Sequence, residues 1–288
     1  MSVPRLARSM LFVPATSTRK IDKAYSSAAD AVILDLEDAV ATAEKPAARG
    51  LLREIVAVTR RLPTWVRVNA TETAFCLRDL QACCTPGVTG VILPKVESAE
   101  QVRAVDWAMA QFEGEAGLAA GSVALMGIVE TSRGLVAVDA IAGASPRLSR
   151  LLFGAVDLAA DMSVEIDDAA GATQQARFAI ARASFAARLA PPIDTAFTDI
   201  PNLAELRASA ARAKALGYGG KTCIHPTQID AVNEVFSPGA ERLAWARRVV
   251  EAFAAAERQG LAALRLDGEM LDYPVVERAR RLLAQAGG

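Results

Sequence analysis

The chain is expected to fold as a TIM (β/α)8 barrel with a C-terminal helical extension. Eight short, β-rich apolar runs recur within about 225 residues, and most are separated by segments with helical spacing. Charged residues also gather at the C-terminal ends of several runs, where barrel enzymes place their chemistry. In order, the runs are SMLFVP (9–14), AVILDLE (31–37), TWVRVN (64–69), GVILPKV (90–96), SVALMGIVE (122–130), RLLFGAVD (150–157), PPIDTAF (191–197) and GKTCIHP (220–226). Between them lie helical patterns such as AEKPAARGLLREIVAVTRRL and AELRASAARAKALG. Strands alternating with helices imply parallel pairing. A doubly wound open sheet is the competing arrangement, but no G-x-G-x-x-G follows the first strand.

Residues 1–235 are therefore read as the barrel domain. Residues 236–288 are read as an extension that packs on the barrel or on a neighbouring subunit. In it, 238–259 and 274–285 have helical patterns, and GLAALRLDGEMLDYP between them suits a hairpin or an extended arm.

Composition excludes several classes. The 288 residues are 52% hydrophobic and 23% charged, with a formal net charge of −1, which does not suit a nucleic-acid binder. No run of 18 apolar residues suggests a membrane span. The start, MSVPRLARSMLFVPATS, is basic, but its apolar stretch breaks at Pro14 and reads as a first strand rather than a signal peptide. Cys76, Cys83, Cys84 and Cys223 have neither zinc-like spacing nor a disulfide framework. A cytoplasmic enzyme is expected.

Alternation within the strands gives each polar residue a direction. Val32, Leu34 and Leu36 should face the helices, which turns Asp35 and Glu37 inward and leaves Asp38 to open the loop. Val66 and Val68 outward put Arg67 and Asn69 inward. In the fourth strand, Ile92 and Pro94 are assigned outward, with Val91, Leu93 and Lys95 inward. Leu125 and Val129 outward place Glu130 inside with Met126 and Ile128. In the sixth, Leu152 and Val156 are assigned outward, with Phe153, Ala155 and Asp157 inward. Lys221, Cys223 and His225 share a face.

The inward set thus holds the carboxylates Asp35, Glu37, Glu130 and Asp157 against Arg67, Lys95 and Lys221. As a stability device such a cluster is expensive. It suits a site for a divalent cation and an anionic substrate, and two carboxylates, Glu130 and Asp157, suit Mg2+, which keeps much of its water. His225 is the only histidine, so a multi-histidine zinc or iron site cannot be assembled. His225 itself is read as structural. Asp161, Glu165, Asp167 and Asp168 are read as a solvated loop and helix start, with Asp161 nearest the pocket. Trp65, Trp107 and Trp245 are read as packing residues, and the Arg-rich face of 241–248 as solvated or subunit-facing.

Eight stretches carry a family resemblance: RSMLFVPATSTRKIDKA, DAVILDLEDAV, WVRVNA, VILPKVES, GIVETSRGL, LLFGAVDLAADM, GKTCIHPTQI and LDGEMLDYP. They run in order from residue 8 to residue 274, and the set resembles the citrate lyase β-subunit-like proteins of the HpcH/HpaI aldolase superfamily, which include malyl-CoA and citramalyl-CoA lyases. The resemblance implies a TIM barrel with a C-terminal extension, assembled as a homotrimer or hexamer. It further implies reversible C–C cleavage of a 3-hydroxyacyl-CoA, with coenzyme A as part of the substrate, to an acyl-CoA and a 2-keto acid.

By the same resemblance Glu130 and Asp157 match the magnesium ligands, with Arg67 and Glu130 facing the substrate and Arg67 holding its carboxylate. Glu37 and Asp38 match acids that support the metal's waters. Lys23, with Arg19 and Lys20 beside it, would meet the coenzyme A phosphates. Asp272 matches an acid/base that enters the neighbouring subunit's site. Ala15 departs from the pattern, since many relatives have glycine there. The tail keeps the family pattern, which favours a self-sufficient lyase.

Three other readings compete. A metal-dependent aldolase would act on free hydroxy-keto acids without coenzyme A; aldolases of that type use a barrel histidine that is not found at the second strand. A Schiff-base mechanism on Lys95 is opposed by the surrounding carboxylates, which keep the amine protonated. A non-catalytic binding protein on the same barrel would be expected to lose a metal ligand or Arg67, and all are present.

Overall fold

The computed structural model describes residues 7–58, 60–165 and 171–286, so Asp167, Asp168 and the first six residues lie outside the described residues. Eight parallel strands close into a barrel in sequence order. They are β1 (Ser9–Pro14), β2 (Ala31–Asp35), β3 (Thr64–Arg67), β4 (Gly90–Leu93), β5 (Ala124–Val129), β6 (Leu148–Phe153), β7 (Ile193–Asp194) and β8 (Gly220–Cys223). Seven fall within the expected runs, β6 begins two residues before its run, and β8 closes the ring by pairing with β1 at Ser9–Lys221.

The connecting helices are α1 (Thr18–Tyr25), α2 (Lys45–Val56), α3 (Cys76–Cys83), α4 (Ala99–Glu115), α5 (Ser132–Val136), α6 (Val138–Ala142), α7 (Ala155–Met162), α8 (Gly171–Ala186), α9 (Leu203–Ala215) and α10 (Ile229–Phe236). Their starts carry local signals. Ser17 caps α1, Asn202 caps α9, and Ser98 with Gln101 forms a capping box on α4.

Two apolar layers result. Val32, Leu34, Val66, Leu125 and Val129 pack against the helices, while Met10, Ile33, Trp65, Met126 and Ile128 fill the interior. Gly90 is required by this filling, because a Cβ there would stand 2.2 Å from the Trp65 ring. Trp107, in contrast, is 68% exposed on α4 and does not pack.

The inward and outward faces of two strands differ from expectation. Ile92 and Leu152 belong to the interior, and Val91, Leu93 and Phe153 to the helix-facing layer. The expected parity was counted back from Lys95 and Asp157 across a turn. β4 ends at Leu93 before Lys95, which has φ +50°, and β6 ends at Phe153. Alternation does not survive such a break. Asp157 accordingly lies in the first turn of α7 and not on the strand.

Lys221 is also corrected. Its Nζ is fully buried against Asp194 and, at 3.1 Å, Ser209 Oγ of α9, so it faces the helices and not the barrel mouth. Asp194 Oδ1 also accepts a 2.8 Å bond from Arg177 Nε of α8. His225 lies beyond the end of β8, exposed, with Nδ1 2.8 Å from Thr227 Oγ1.

The barrel unit runs from Ala7 to Phe236, and the chain from Ser237 onward forms a second compact unit. That unit contains α11 (Ala240–Glu257), the antiparallel hairpin β9 (Leu264–Leu266) and β10 (Glu269–Leu271), and α12 (Tyr273–Ala286). Its own core includes Ala246, Val249, Phe253, Leu271, Val276 and Ala279. Among the described residues no helix is long and apolar enough to cross a membrane.

The Asp194 carboxylate is the shared partner of two buried cations. Asp194→Ala is expected to lower unfolding free energy by about 3–5 kcal/mol, because Lys221 keeps only a hydroxyl partner. Urea denaturation checks this, and a midpoint unchanged from wild type would contradict it.

Candidate active site

The C-terminal ends of β2 to β5 bring the polar residues together. Arg67 ends β3, and Asp35 ends β2 directly beside it in register. Arg67 donates to both Asp35 oxygens, Nε at 2.8 Å and Nη2 at 2.6 Å. Its Nη1 lies 3.1 Å from Glu37 Oε2 and 3.4 Å from Asp38 Oδ2. The guanidinium also stacks over the Phe12 ring at 4.9 Å. Burial would lower the Arg67 pKa, but Asp35, Glu37 and Asp38 raise it more, and the group stays charged.

The bidentate geometry comes with a tight loop. Asp35 Oδ1 accepts the Glu37 N–H at 2.9 Å, and Oδ2 accepts the Ala39 N–H at 3.2 Å. The partner of Asp35 is thus Arg67, while Lys95 pairs with Glu37, Nζ to Oε1, at 2.8 Å. Lys45, buried at the start of α2, fastens the same loop by donating to the carbonyls of Leu36 (2.9 Å) and Glu37 (2.8 Å). Asn69, two residues beyond the end of β3, fastens it as well, donating to the Leu36 carbonyl at 2.9 Å and to Asp79.

Glu130 follows β5 and is 2% exposed. Its Oε1 accepts the Lys95 N–H at 2.8 Å. Burial, the charge of Asp157 and the charge of Glu37 together push its carboxyl up to about 8. Burial likewise pushes Glu37 up, although Arg67 and Lys95 oppose the shift. Glu37 Oε2 is buried and makes no hydrogen bond. Three acids therefore face one another with too little positive charge between them, which is the electrostatic condition that a divalent cation relieves.

Among the described residues no group of three or more His, Cys, Asp or Glu side chains is arranged to hold a metal alone. Two carboxylates completed by water fit the preference of Mg2+. Lys95 is held protonated: burial lowers its pKa, but Glu37, Asp38 and Glu130 raise it further. That argues against a Schiff-base nucleophile.

Beside these residues opens a cleft of about 470 Å3, lined in part by Glu37, Asp38, Lys45, Asn69, Lys95 and Thr131. Asp161, exposed on α7, accepts the Ser132 N–H at 2.7 Å. Arg19, Lys20 and Lys23 are all exposed on α1, opposite its buried Ile21, Ala24 and Tyr25. Asp272 stands in the C-terminal unit, where its Oδ1 accepts the Val275 N–H at 3.3 Å at the start of α12.

Two residues of the site escape the sequence reading. Lys45 has a signal, a cation just before Pro46 in the first turn of a helix, where the dipole disfavours it. Gly154 has a second: a Cβ there would lie 2.4 Å from Glu130 Oε2 and 2.6 Å from Glu130 Cβ. Glycine at the end of β6 lets the buried carboxylate lie against the neighbouring backbone.

Comparison with known proteins shows the family. Residues 8–226 match the family model for HpcH/HpaI aldolase/citrate lyase. The chain belongs to that family. It is 36% identical to the citrate lyase subunit beta of Escherichia coli (strain K12) over 98% of this chain and 94% of that protein. It is 40% identical to a citrate lyase subunit beta-like protein of Mycobacterium tuberculosis, covering 96% of this chain and 94% of the relative. Among solved structures, CitE from Mycobacterium tuberculosis in complex with magnesium, acetoacetate and coenzyme A matches with a TM-score of 0.77 and 37% identity, covering 99% of this chain and 100% of that one.

The raised Glu130 carboxyl has a consequence for metal-free protein. A carboxyl whose folded pKa exceeds its unfolded value contributes stability present below the unfolded value of 4.5 and lost as pH rises through about 8. Thermal unfolding in chelator is expected to show a falling midpoint across that window, with a shallower fall in Glu130→Gln. Identical slopes in the two proteins would refute the assignment.

Proposed function

We propose that this protein is a magnesium-dependent carbon–carbon lyase acting on a 3-hydroxyacyl-CoA such as citryl-, malyl- or citramalyl-CoA. The products are an acyl-CoA and a 2-keto acid, and the reaction is reversible. The observation that carries the reading is the buried Glu130 carboxylate, crowded by the charges of Asp157 and Glu37 beside a fixed arginine.

Glu130 and Asp157 would hold the ion, and Glu37 and Asp38 would orient its waters. When bound, Mg2+ supplies a Lewis acid for the keto-acid oxygens. Arg67 is assigned to the substrate carboxylate. Of its five N–H donors Asp35 takes two, in a geometry that holds the guanidinium plane still. Glu130 faces the same substrate through its position at the end of β5.

Cleavage moves the hydroxyl proton off the substrate and passes the electron pair of the C–C bond to the carbon alpha to the thioester, where a proton must be delivered. Synthesis requires the reverse transfer. Asp272, supplied by a neighbouring subunit, is assigned that acid/base role. Arg19, Lys20 and Lys23 on the exposed face of α1 are assigned to the coenzyme A phosphates. This scheme has residues 1–235 as the catalytic barrel, residues 236–288 as its extension, a homotrimer or hexamer as the working form, and the cytoplasm as its place.

A panel of 3-hydroxyacyl-CoA thioesters with Mg2+, scored for keto-acid release against free hydroxy-keto acids, tests the reading. Release is expected from thioesters only. Glu130→Ala and Asp157→Ala should each lower kcat by about a thousandfold or more, and Arg67→Lys should lower kcat/KM by about a hundredfold. Turnover that survives thorough chelation would contradict the proposal.

A further inference from the structure

Arg150 is a buried cation with no part in the proposed chemistry. It lies on β6 between the helix-facing Leu148 and Leu151, and it alternates with Leu152, which belongs to the barrel interior. Its register partner on β5 is Met126, also interior. Arg150 therefore points into the barrel, toward the N-terminal end and away from the mouth that holds Glu130. It is 4% exposed.

Among the described residues its guanidinium has no hydrogen bond or ion pair, and its Nη1 is buried without a partner. The other arginines buried to this degree are treated differently. Arg147 is clamped by Asp106 and Glu113, and Arg177 by Asp194. Burial alone lowers the Arg150 pKa to about 10, with no neighbouring charge acting on it. An arginine does not escape such a cost by losing its proton. A counter-ion on the guanidinium would offset the cost of burying that charge.

We propose that the floor of the barrel is a binding site for a small monovalent anion, such as chloride, on the Arg150 guanidinium. The surroundings select this class. Met126, Ile128 and Leu152 offer no further donors, so a phosphate or carboxylate would lose more hydration than one guanidinium returns. A halide needs fewer donors. Ala124, the first residue of adjoining β5, is partly exposed and packs on the interior cluster, and its small side chain adds no donor or charge beside the guanidinium.

The full-length protein is tested by thermal unfolding at constant ionic strength, with chloride or bromide replaced by gluconate. The expected result is a melting temperature about 3 °C higher in the halide, for an ion tenfold above its dissociation constant. Arg150→Met should remove the halide dependence. Crystals grown in bromide should show an anomalous peak at hydrogen-bonding distance from Nη1. The crystallographic arm needs no variant, so it decides the matter even if Arg150→Met does not fold. Equal melting temperatures in halide and gluconate, a dependence retained in Arg150→Met, or no bromide at Arg150 would each overturn the proposal.

Discussion

The pair between Arg67 and Asp35 is the interaction on which the mouth of the barrel depends. Two short bonds fix the guanidinium plane, and the same carboxylate accepts two backbone N–H groups from the loop that carries Glu37 and Asp38. One carboxylate thereby sets both the arginine and the loop. The remaining face of Arg67 meets Glu37 and Asp38, so three acids are gathered around one cation. Glu130 and Asp157 are close by, and Lys95 supplies one further positive charge. The negative charge of the mouth is left incompletely balanced, which raises Glu130 far from its ordinary value.

Backbone conformation completes what the side chains begin. Lys95 adopts φ +50°, which costs a residue with a Cβ roughly 1 kcal/mol. The conformation places its N–H on Glu130 and its Nζ on Glu37, so a single residue restrains two acids from different strands. Gly154 contributes by having no side chain where the Glu130 carboxylate lies. Strain at one position and a missing Cβ at the other are features of a site held in a set geometry.

The barrel was legible because each strand is short, apolar and followed by a helical pattern. Glu130, Arg67 and Glu37 were legible because Val129, Val66 and Leu36 left them only one direction to face. The reading failed where a residue's direction was inferred across a turn: Asp157 reaches the site from the first turn of α7, and the parity counted back through Pro94 inverted Ile92. Lys221 misled for another reason. Alternation tells which residues share a face, but not which face; only the pairing with Asp194 and Ser209 shows that it is the outer one. Lys45 and Gly154 act through a backbone carbonyl and an absent atom, and neither leaves a periodic trace.

The central claim is that the carboxylates at the mouth form a cation site from which Glu130 must lose its proton. Isothermal calorimetry of Mg2+ binding, repeated at pH 7 and pH 9 in buffers of different ionisation enthalpy, measures that proton directly. With Glu130 at about 8, the account predicts release of about one proton per ion at pH 7 and almost none at pH 9. A binding heat at pH 7 that does not depend on the buffer would contradict it.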